Sequence, residues 1–249
     1  MLSFFAARAV PRVEEVAGGV YRRSARLAHG PAVIADGVLE AGDPRDAAQA
    51  ERLGGALADA DADCARIDAV LGADPLLRDL VAAAPGRRVP GCVDAGEIAI
   101  RAVLGQQVSV AAARTQAARL VERCGERLPV PVGTVTHLFP APAALAELDP
   151  DSLPMPRARG RALVTLAAAL AEGLDPSAQR DELLALPGIG PWTADYVAMR
   201  CGNPDVLLET DLGVRRGLRA LDGPEDLAGH AERWRPWRSY AVQHLWSQA

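Results

Sequence analysis

A short run rich in glycine and proline, residues 186–194 (LPGIGPWTA), constrains the fold more than any other part of the chain. A helix over residues 181–186 has to end before Pro187, and the two glycines that follow allow a tight turn. Pro191 suits the first position of a new helix, where its missing N–H costs nothing. We therefore predict two helices joined by a tight hairpin.

This hairpin offers backbone N–H groups to an anion. The amides of Gly188, Gly190 and Thr193 are predicted to point outward at the N-terminus of the second helix. Amides placed in this way bind a phosphate oxygen whatever the base sequence beside it. A plain helical hairpin with glycine at a helix end is the alternative, and the motif by itself leaves both interpretations open.

A second segment, residues 206–216 (VLLETDLGVRR), follows about twenty residues later. Here a loop leads into a helix that begins at Leu212, with Thr210 or Asp211 as its N-cap. A capping role worth roughly 1 kcal/mol would explain Asp211 by itself. Its spacing from the hairpin favours a functional carboxylate.

The remaining chain divides into a mixed N-terminal part and a helical body. Strand-like runs and one long helix-like run come first, and alanine-rich helical patterns separated by Pro and Gly turns follow. We find no second strand-rich region. The predicted strands are 19–21, 32–34 and 38–40, the long helical run is 46–71, and the later helices are 95–104, 109–124, 157–172 and 192–200.

The hairpin with its following aspartate resembles the signature of the helix-hairpin-helix DNA glycosylase superfamily. Four further blocks, residues 4–10, 89–104, 105–110 and 232–246, resemble its alkylation-repair branch, 3-methyladenine DNA glycosylase II of the AlkA type. The resemblance implies a mainly α fold with an N-terminal α+β domain, the helix-hairpin-helix DNA glycosylase fold. The implied domains are a mixed α/β domain of residues 1–72, a helical subdomain of residues 73–95 plus 204–249, and a helical subdomain of residues 96–203 that holds the hairpin.

The activity that the resemblance implies is base excision. Members of this branch flip alkylated bases of the 3-methyladenine and 7-methylguanine type out of duplex DNA and hydrolyse the N-glycosidic bond, which leaves an abasic site. The matching motif makes Asp211 the catalytic carboxylate, with Glu209 as the nearest competitor. Two alternatives stay open: a non-catalytic helix-hairpin-helix DNA-binding protein, and a sibling glycosylase for oxidised or mismatched bases.

The chain has no lysine, because all 27 of its basic side chains are arginine. This excludes catalysis through a lysine imine and a phosphate-loop lysine. Bifunctional members of the superfamily carry a lysine nucleophile on the second hairpin helix, and Trp192 stands at that position here. The resemblance therefore implies a monofunctional enzyme.

The cysteines are far apart and form no C-x-x-C pair, so they are predicted to be buried packing residues. They are Cys64, Cys92, Cys124 and Cys201. None follows the last of these, so the iron–sulfur cluster of some superfamily members is not expected. We expect no cofactor apart from a structural monovalent cation, which the superfamily often binds at the hairpin. The carbonyls that would hold it are those of Leu184, Leu186 and Ile189.

Aromatic side chains make up only 4% of the chain, yet most lie toward its C-terminal end. In the branch an aromatic pocket accepts the damaged base, and stacking on an indole adds roughly 0.5–2 kcal/mol for a base that carries positive charge. Trp234 and Trp237 are predicted to be core residues instead. The expected pocket residues are Trp192, Tyr196, Trp246, Phe4 and Leu212, the last at a position where an aromatic is often found.

A flipped base leaves a gap in the duplex, and the branch fills it with the side chain at the position of Gln107. The best-known form has an apolar wedge there, whereas a glutamine could also hydrogen-bond the orphaned base. Ser109 is the predicted cap of the helix that follows. A solvent-facing turn glutamine is the alternative.

Net charge is −5, which by itself argues against a nucleic-acid partner. The acid is segregated, however: residues 35–80 hold 11 acidic side chains and four arginines, a balance of −7 that leaves +2 elsewhere. A basic surface can therefore exist on the rest of the chain. Two arginine clusters either face phosphates or are simply solvated, namely Arg157, Arg159 and Arg161, and Arg215, Arg216 and Arg219.

No apolar run reaches the roughly 18 residues that a membrane helix needs, and no signal peptide is recognisable. We expect a cytoplasmic, nucleoid-associated monomer whose partner is duplex DNA with alkylated bases, and no membrane contact. The branch normally begins with a further strand before the block at Phe4. The chain is therefore expected either to lack that edge or to belong to a longer fusion with another alkylation-repair domain.

Overall fold

An antiparallel meander of four strands follows a short first helix in the computed structural model, which describes residues 1–248. The three predicted strands are confirmed, and the first turn is made by Gly19 at φ 81°. A further strand precedes them, stabilised by Glu15, which faces Arg22 across the pair and forms an ion pair with it at 2.5 Å. These elements are α1 (Leu2–Arg8), β1 (Glu14–Ala17), β2 (Val20–Leu27), β3 (Gly30–Ala35) and β4 (Val38–Ala41).

The predicted helical run over residues 46–71 is wrong as a single helix, because the structure has two. Asp59 ends the first in a left-handed conformation (φ 50°). The Asp63 side chain caps the second by accepting from the Arg66 amide at 3.1 Å. Aspartate tolerates the left-handed region and is a preferred N-cap, so this acidic stretch divides the run. The helices are α2 (Ala47–Ala58) and α3 (Cys64–Gly72).

A second sheet of two strands lies within the helical body, contrary to the expectation of no further strand region. Its hairpin packs against the first sheet, where Ser24 Oγ donates to the His137 carbonyl at 2.7 Å. Leu128 and Val135 share a small apolar core with Val33 of β3. These tertiary contacts outweigh a local sequence whose prolines favour a turn. The strands are β5 (Arg127–Val132) and β6 (Val135–His137).

The rest of the described chain is mostly helical, which confirms the fold class of a mainly α protein with an N-terminal α+β domain. The helices are α4 (Arg78–Ala83), α5 (Ala95–Gly105), α6 (Val110–Cys124), α7 (Pro142–Ala146), α8 (Arg157–Ala171), α9 (Arg180–Ala185), α10 (Pro191–Arg200), α11 (Leu212–Ala220), α12 (Leu227–His230) and α13 (Arg238–Trp246), with short 3-10 helices at Pro44–Asp46, Pro150–Ser152 and Ala231–Trp234.

Helix α10 lies between two apolar cores. Val197 belongs to the core formed with α5, α6 and α8, whereas Met199 belongs to the core formed with α3, α4, α11 and α13. Trp234 is fully buried in this second core, as predicted. Ile67 and Leu71 of α3 also pack there, although the predicted bounds place them in the N-terminal domain. The domain bounds stay a prediction.

A buried ionic network attaches the N-terminal sheet to α5. Arg101 of α5 donates to Glu14 of β1 and to Glu97, both at 2.9 Å, and Arg23 of β2 donates to Glu97 at 2.6 Å. Burial alone would raise the pKa of Glu14, but Arg101 and Arg23, with a hydrogen bond from Tyr21, lower that pKa to about 2. The network therefore fixes α5, whose C-terminus leads to the turn that holds Gln107.

The four cysteines are half-buried and not buried, and three of them, Cys92, Cys124 and Cys201, pack against an apolar core as predicted. Cys92 and Cys201 face each other with their Sγ atoms 3.7 Å apart. Within residues 1–248, no helix is long and apolar enough to cross a membrane. The same residues contain no group of three or more His, Cys, Asp or Glu side chains arranged to hold a metal ion.

Candidate active site

The predicted hairpin is present, with α9 and α10 joined by a tight turn. Gly188 has φ 81°, a conformation that side chains other than glycine rarely adopt. A Cβ on Gly188 would also lie 2.6 Å from the Cβ of Ala162 on α8. Pro191 is the first residue of α10, as expected. The sequence of the turn is thus required both by its backbone and by the helix beneath it.

The outward-facing amides are fewer than predicted. Gly188 is exposed and Gly190 is partly exposed, in agreement with a surface turn. Thr193 is the exception: it is only 1% exposed, and its amide donates to the Gly190 carbonyl at 3.0 Å. Because this amide already has a partner inside the first helical turn, the expectation of an outward Thr193 amide is corrected.

Asp211 is the N-cap of α11, and its carboxylate also accepts hydrogen bonds from two tryptophans. The Trp192 indole Nε1 donates to Oδ2 at 2.9 Å, and the Trp246 indole Nε1 donates to Oδ1 at 2.8 Å. Oδ1 also accepts from the Val214 amide at 2.9 Å. All three partners are donors, which suits an ionised carboxylate because that group only accepts. The capping and functional interpretations of Asp211 are therefore compatible.

Three of the predicted pocket residues lie together around this carboxylate. Trp192 and Tyr196 stack with ring centroids 5.3 Å apart, and Tyr196 meets Trp246 at 6.5 Å with a 47° tilt. All three side chains are half-buried. The spacing of four residues on α10 predicts the first contact, whereas the second requires α13 to pack beside α10 and α11. Tyr196 thus contacts both tryptophans.

Gly213 permits the contact between Trp246 and Asp211, and sequence reasoning missed it. A Cβ on Gly213 would lie 2.8 Å from Cδ1 and 3.1 Å from Nε1 of Trp246, and 3.1 Å from Oδ1 of Asp211. Any larger residue therefore displaces either the indole or the carboxylate. The signal in the sequence is a glycine in the first turn of a helix, where glycine is unfavourable.

Phe4 reaches the aromatic cluster through two arginines. The Arg8 guanidinium lies 3.8 Å from the centroid of the Phe4 ring, and that of Arg200 lies 5.0 Å from it. Arg200 in turn donates to the Tyr196 hydroxyl at 2.8 Å. Burial alone would raise the pKa of Tyr196, but Arg200 and Arg8 lower it. Sequence reasoning missed Arg8, although its position four residues after Phe4 on a helix is a usable signal.

Leu212 and Glu209 both point to solvent. Leu212, expected in the wall of the pocket, is 63% exposed at the first position of α11, so it does not form a buried wall. Glu209 is also exposed, and its carbonyl accepts from Arg215 Nε at 3.1 Å. The structure therefore gives the aromatic surroundings to Asp211 and not to its nearest competitor.

Gln107 lies at the tip of the turn between α5 and α6. It is exposed and takes the left-handed conformation, with φ 56°. Ser109 caps α6 as predicted, accepting from the Ala112 amide at 3.2 Å. A non-glycine residue in this conformation is uncommon.

The fold and site together define a helix-hairpin-helix protein in which a loop aspartate caps a helix inside an aromatic cluster. Residues 1–94 match the family described as AlkA N-terminal domain, and residues 100–236 match HhH-GPD superfamily base excision DNA repair protein. The chain belongs to this HhH-GPD superfamily of base excision DNA repair proteins.

Individual relatives agree with this family. The chain is 46% identical over 261 residues to a Mycobacterium tuberculosis protein named "Probable bifunctional transcriptional activator/DNA repair enzyme AlkA", a match that covers 97% of this chain and 53% of the relative. It is 38% identical over 267 residues to Escherichia coli DNA-3-methyladenine glycosylase 2, covering 99% and 92%. The chain thus spans about half the length of the M. tuberculosis relative.

A solved structure shares the fold. The 3-methyladenine DNA glycosylase from Archaeoglobus fulgidus superimposes with a TM-score of 0.81 at 23% identity, covering 98% of this chain and 92% of the other. At this identity the likeness supports the arrangement of the sheet, the two helical cores and the hairpin.

Proposed function

We propose that this protein is a monofunctional DNA glycosylase that flips alkylated bases of the 3-methyladenine and 7-methylguanine type out of duplex DNA and hydrolyses their N-glycosidic bond in base excision repair. The observation that carries the proposal is the carboxylate of Asp211, held by the indole N–H groups of Trp192 and Trp246 within an aromatic cluster. The E. coli relative is named DNA-3-methyladenine glycosylase 2, which supports this proposal.

Asp211 acts through its charge. Cleavage of an N-glycosidic bond builds positive charge on the sugar, as in other glycosyl transfers. A carboxylate about 4 Å from that cation stabilises it by ~1 kcal/mol in water but by ~4 kcal/mol at an effective dielectric constant of about 20. The difference corresponds to a rate increase on the order of a hundredfold. Asp211 is half-buried, and a flipped base that covers it beside the aromatic rings favours the larger value.

Water is the nucleophile in this proposal. The chain has no lysine, and Trp192 occupies the position of the lyase lysine and donates to Asp211. The carboxylate can therefore orient the attacking water and accept a proton from it while it stabilises the sugar cation. The product is an intact strand with an abasic site.

The aromatic cluster selects the base. An alkylated purine carries positive charge on its ring and gains roughly 0.5–2 kcal/mol from stacking on electron-rich rings. Trp192 and Tyr196 already stack on each other, so the flipped base meets the wall formed by Tyr196 and Trp246. Phe4 lies beside the guanidinium groups of Arg8 and Arg200, and Arg200 donates to the Tyr196 hydroxyl. Leu212 contributes from the rim of the pocket, with no buried contact.

Duplex DNA is the proposed partner, gripped at the hairpin and opened at the Gln107 turn. The amides of Gly188 and Gly190 bind a backbone phosphate. Gln107 enters the gap left by the flipped base. The proposal includes a monovalent cation bound by the carbonyl oxygens of Leu184, Leu186 and Ile189. The Leu186 oxygen accepts a hydrogen bond from the Ile189 amide and keeps its second lone pair for such a cation. A monomer, and a fusion to another alkylation-repair domain, remain parts of the proposal.

The non-catalytic alternative is less well supported. A protein that only binds DNA gains nothing from a carboxylate held by three donors next to its phosphate-binding turn, because that charge repels the backbone. A sibling enzyme for oxidised bases is opposed by the electron-rich cluster, which favours a cationic base over a neutral one.

The test is release of free base from methylated duplex DNA. The purified protein is expected to liberate 3-methyladenine and 7-methylguanine, measured by chromatography, without cutting the strand and without a covalent adduct after borohydride reduction. No release of either base would contradict the proposal. A trapped adduct, or strand cutting, would contradict water as the nucleophile.

A further inference from the structure

The turn that holds Gln107 is bonded directly to the phosphate-binding hairpin. Gln106, the residue before Gln107, donates from Nε2 to the Gly188 carbonyl at 3.0 Å and to Thr193 Oγ1 at 3.1 Å. Gly188 lies in the turn of the hairpin, and Thr193 is in the first turn of α10. One amide group therefore spans two segments that lie more than 80 residues apart in the chain.

A third segment supports the same turn. Arg159 of α8 donates from Nη2 to the Gln106 carbonyl at 2.5 Å. One turn further along α8, the side chain of Ala162 lies under Gly188, where an added Cβ would be 2.6 Å away. Helix α8 thus contacts the Gln107 turn and the hairpin together, and it holds them in one relative position.

These contacts matter because Gln107 has little support of its own. It is exposed, it is in the left-handed conformation, and the next residue, Val108, is exposed as well. A side chain that enters a base stack must be held to within a fraction of an ångström, since small misplacements cost large factors in rate. The polar contacts of Gln106 and Arg159 supply that support from outside the turn.

We propose that Gln106 and Arg159 are positioning residues that couple the grip of the hairpin on a phosphate to the insertion of Gln107 into the duplex. The proposal rests on the proposed function. It explains why Thr193 is turned inward: its hydroxyl accepts from Gln106, so the residue serves the link between the two turns.

The test compares duplex with single-stranded substrate, because only a duplex base has to be unstacked and replaced. In Gln106→Met the side chain keeps its length and loses both hydrogen bonds. Gln106→Glu is nearly isosteric and places an acceptor against the Gly188 carbonyl. Arg159→Met removes the contact from α8. Single-turnover release of methylated base is expected to fall ~10-fold or more on duplex DNA and to stay within about twofold on the same strand alone.

Two matched controls come from α6. Gln116 donates to the Pro154 carbonyl at 3.0 Å, and Arg123 donates to Ser152 Oγ at 2.9 Å. Gln116→Met and Arg123→Met are expected to leave the ratio of duplex to single-strand rates unchanged. Equal losses on both substrates in the Gln106 variants, or no loss on duplex, would overturn the proposal.

A second readout does not depend on base release. Fluorescence of 2-aminopurine placed in a mismatched duplex rises when a base is unstacked, and wild type is expected to raise it more than Gln106→Met does at equal occupancy of the DNA. If wild type releases no base, the proposed function fails, and this fluorescence difference still decides the coupling. Equal fluorescence in wild type and Gln106→Met would contradict it.

Discussion

Trp246, near the end of the described chain, donates its indole N–H to Oδ1 of Asp211 at 2.8 Å. The contact joins α13 to the N-terminus of α11, and the same oxygen accepts from the Val214 amide. The proposed aromatic wall of the pocket and the proposed reacting carboxylate are therefore one bonded unit. The ring and the N–H of Trp246 can be tested separately.

Trp246→Phe removes the N–H and keeps an aromatic ring. We expect the single-turnover rate of base release to fall ~10-fold, because the carboxylate loses a donor that orients it, whereas binding of damaged duplex changes by less than about threefold. Trp237→Phe is the control, since among the described residues the Trp237 indole N–H has no partner. A Trp246→Phe rate equal to that of Trp237→Phe would show that the hydrogen bond does not contribute.

Gly213→Ala places a methyl group 2.8 Å from Trp246 Cδ1, which is closer than real Cβ contacts allow. The indole or the carboxylate then has to move, and a displacement of about 1 Å near the reacting atoms costs on the order of a hundredfold in rate. Gly105→Ala is the matched control, because an added Cβ there meets nothing within 4 Å. Single-turnover kinetics and a thermal melt measure activity and folding together. A Gly213→Ala protein with wild-type kinetics would be inconsistent with this packing.

The lowered pKa of Glu14 predicts how the free energy of unfolding depends on pH. Its pKa is lowered to about 2 in the folded protein, against about 4.3 in an unfolded chain. The ionised Glu14 carboxylate stabilises the folded state in full at a pH above the pKa of the unfolded chain. This contribution is lost as pH falls through the folded-state pKa of about 2. The free energy of unfolding is therefore expected to drop between about pH 5 and pH 2, by on the order of 3 kcal/mol from this residue.

Urea unfolding of Glu14→Gln tests this point. The variant leaves Arg101 and Arg23 with one carboxylate, that of Glu97, in place of two, and is expected to lose roughly 3–5 kcal/mol at neutral pH, with a weaker dependence on pH below about 5. Glu122→Gln is the control, because Glu122 is 58% exposed and pairs with Arg12 only at 3.8 Å. If both variants lose stability with acid as steeply as wild type, Glu14 is not the source of the effect.

Much of the fold follows from local sequence signals. The hairpin turn, the cap at Asp211 and the cap at Ser109 each depend on residues close together in the chain, and all three are found. The elements that sequence reasoning missed depend on distant contacts. The strands β5 and β6 form because the first sheet packs against them, as the bond from Ser24 to His137 shows.

The candidate site shows the same division between local sequence signals and distant contacts. The stacking of Trp192 with Tyr196 follows from their helical spacing. The bonds from Trp192 and Trp246 to Asp211 do not, because they require α10, α11 and α13 to meet. Glycine is needed at position 213 only because these three helices pack together there. The inward position of Thr193 likewise depends on Gln106, which is distant in the chain.

Asp211→Asn tests the central claim most directly. Asparagine caps helices as well as aspartate does, so the fold of α11 is expected to persist while the charge is lost. Glu209→Gln removes a neighbouring exposed carboxylate and serves as the control. We predict that single-turnover release of 3-methyladenine from duplex DNA falls ~100-fold or more in Asp211→Asn, with DNA binding retained, and stays within about twofold in Glu209→Gln. Wild-type release by Asp211→Asn would contradict the account.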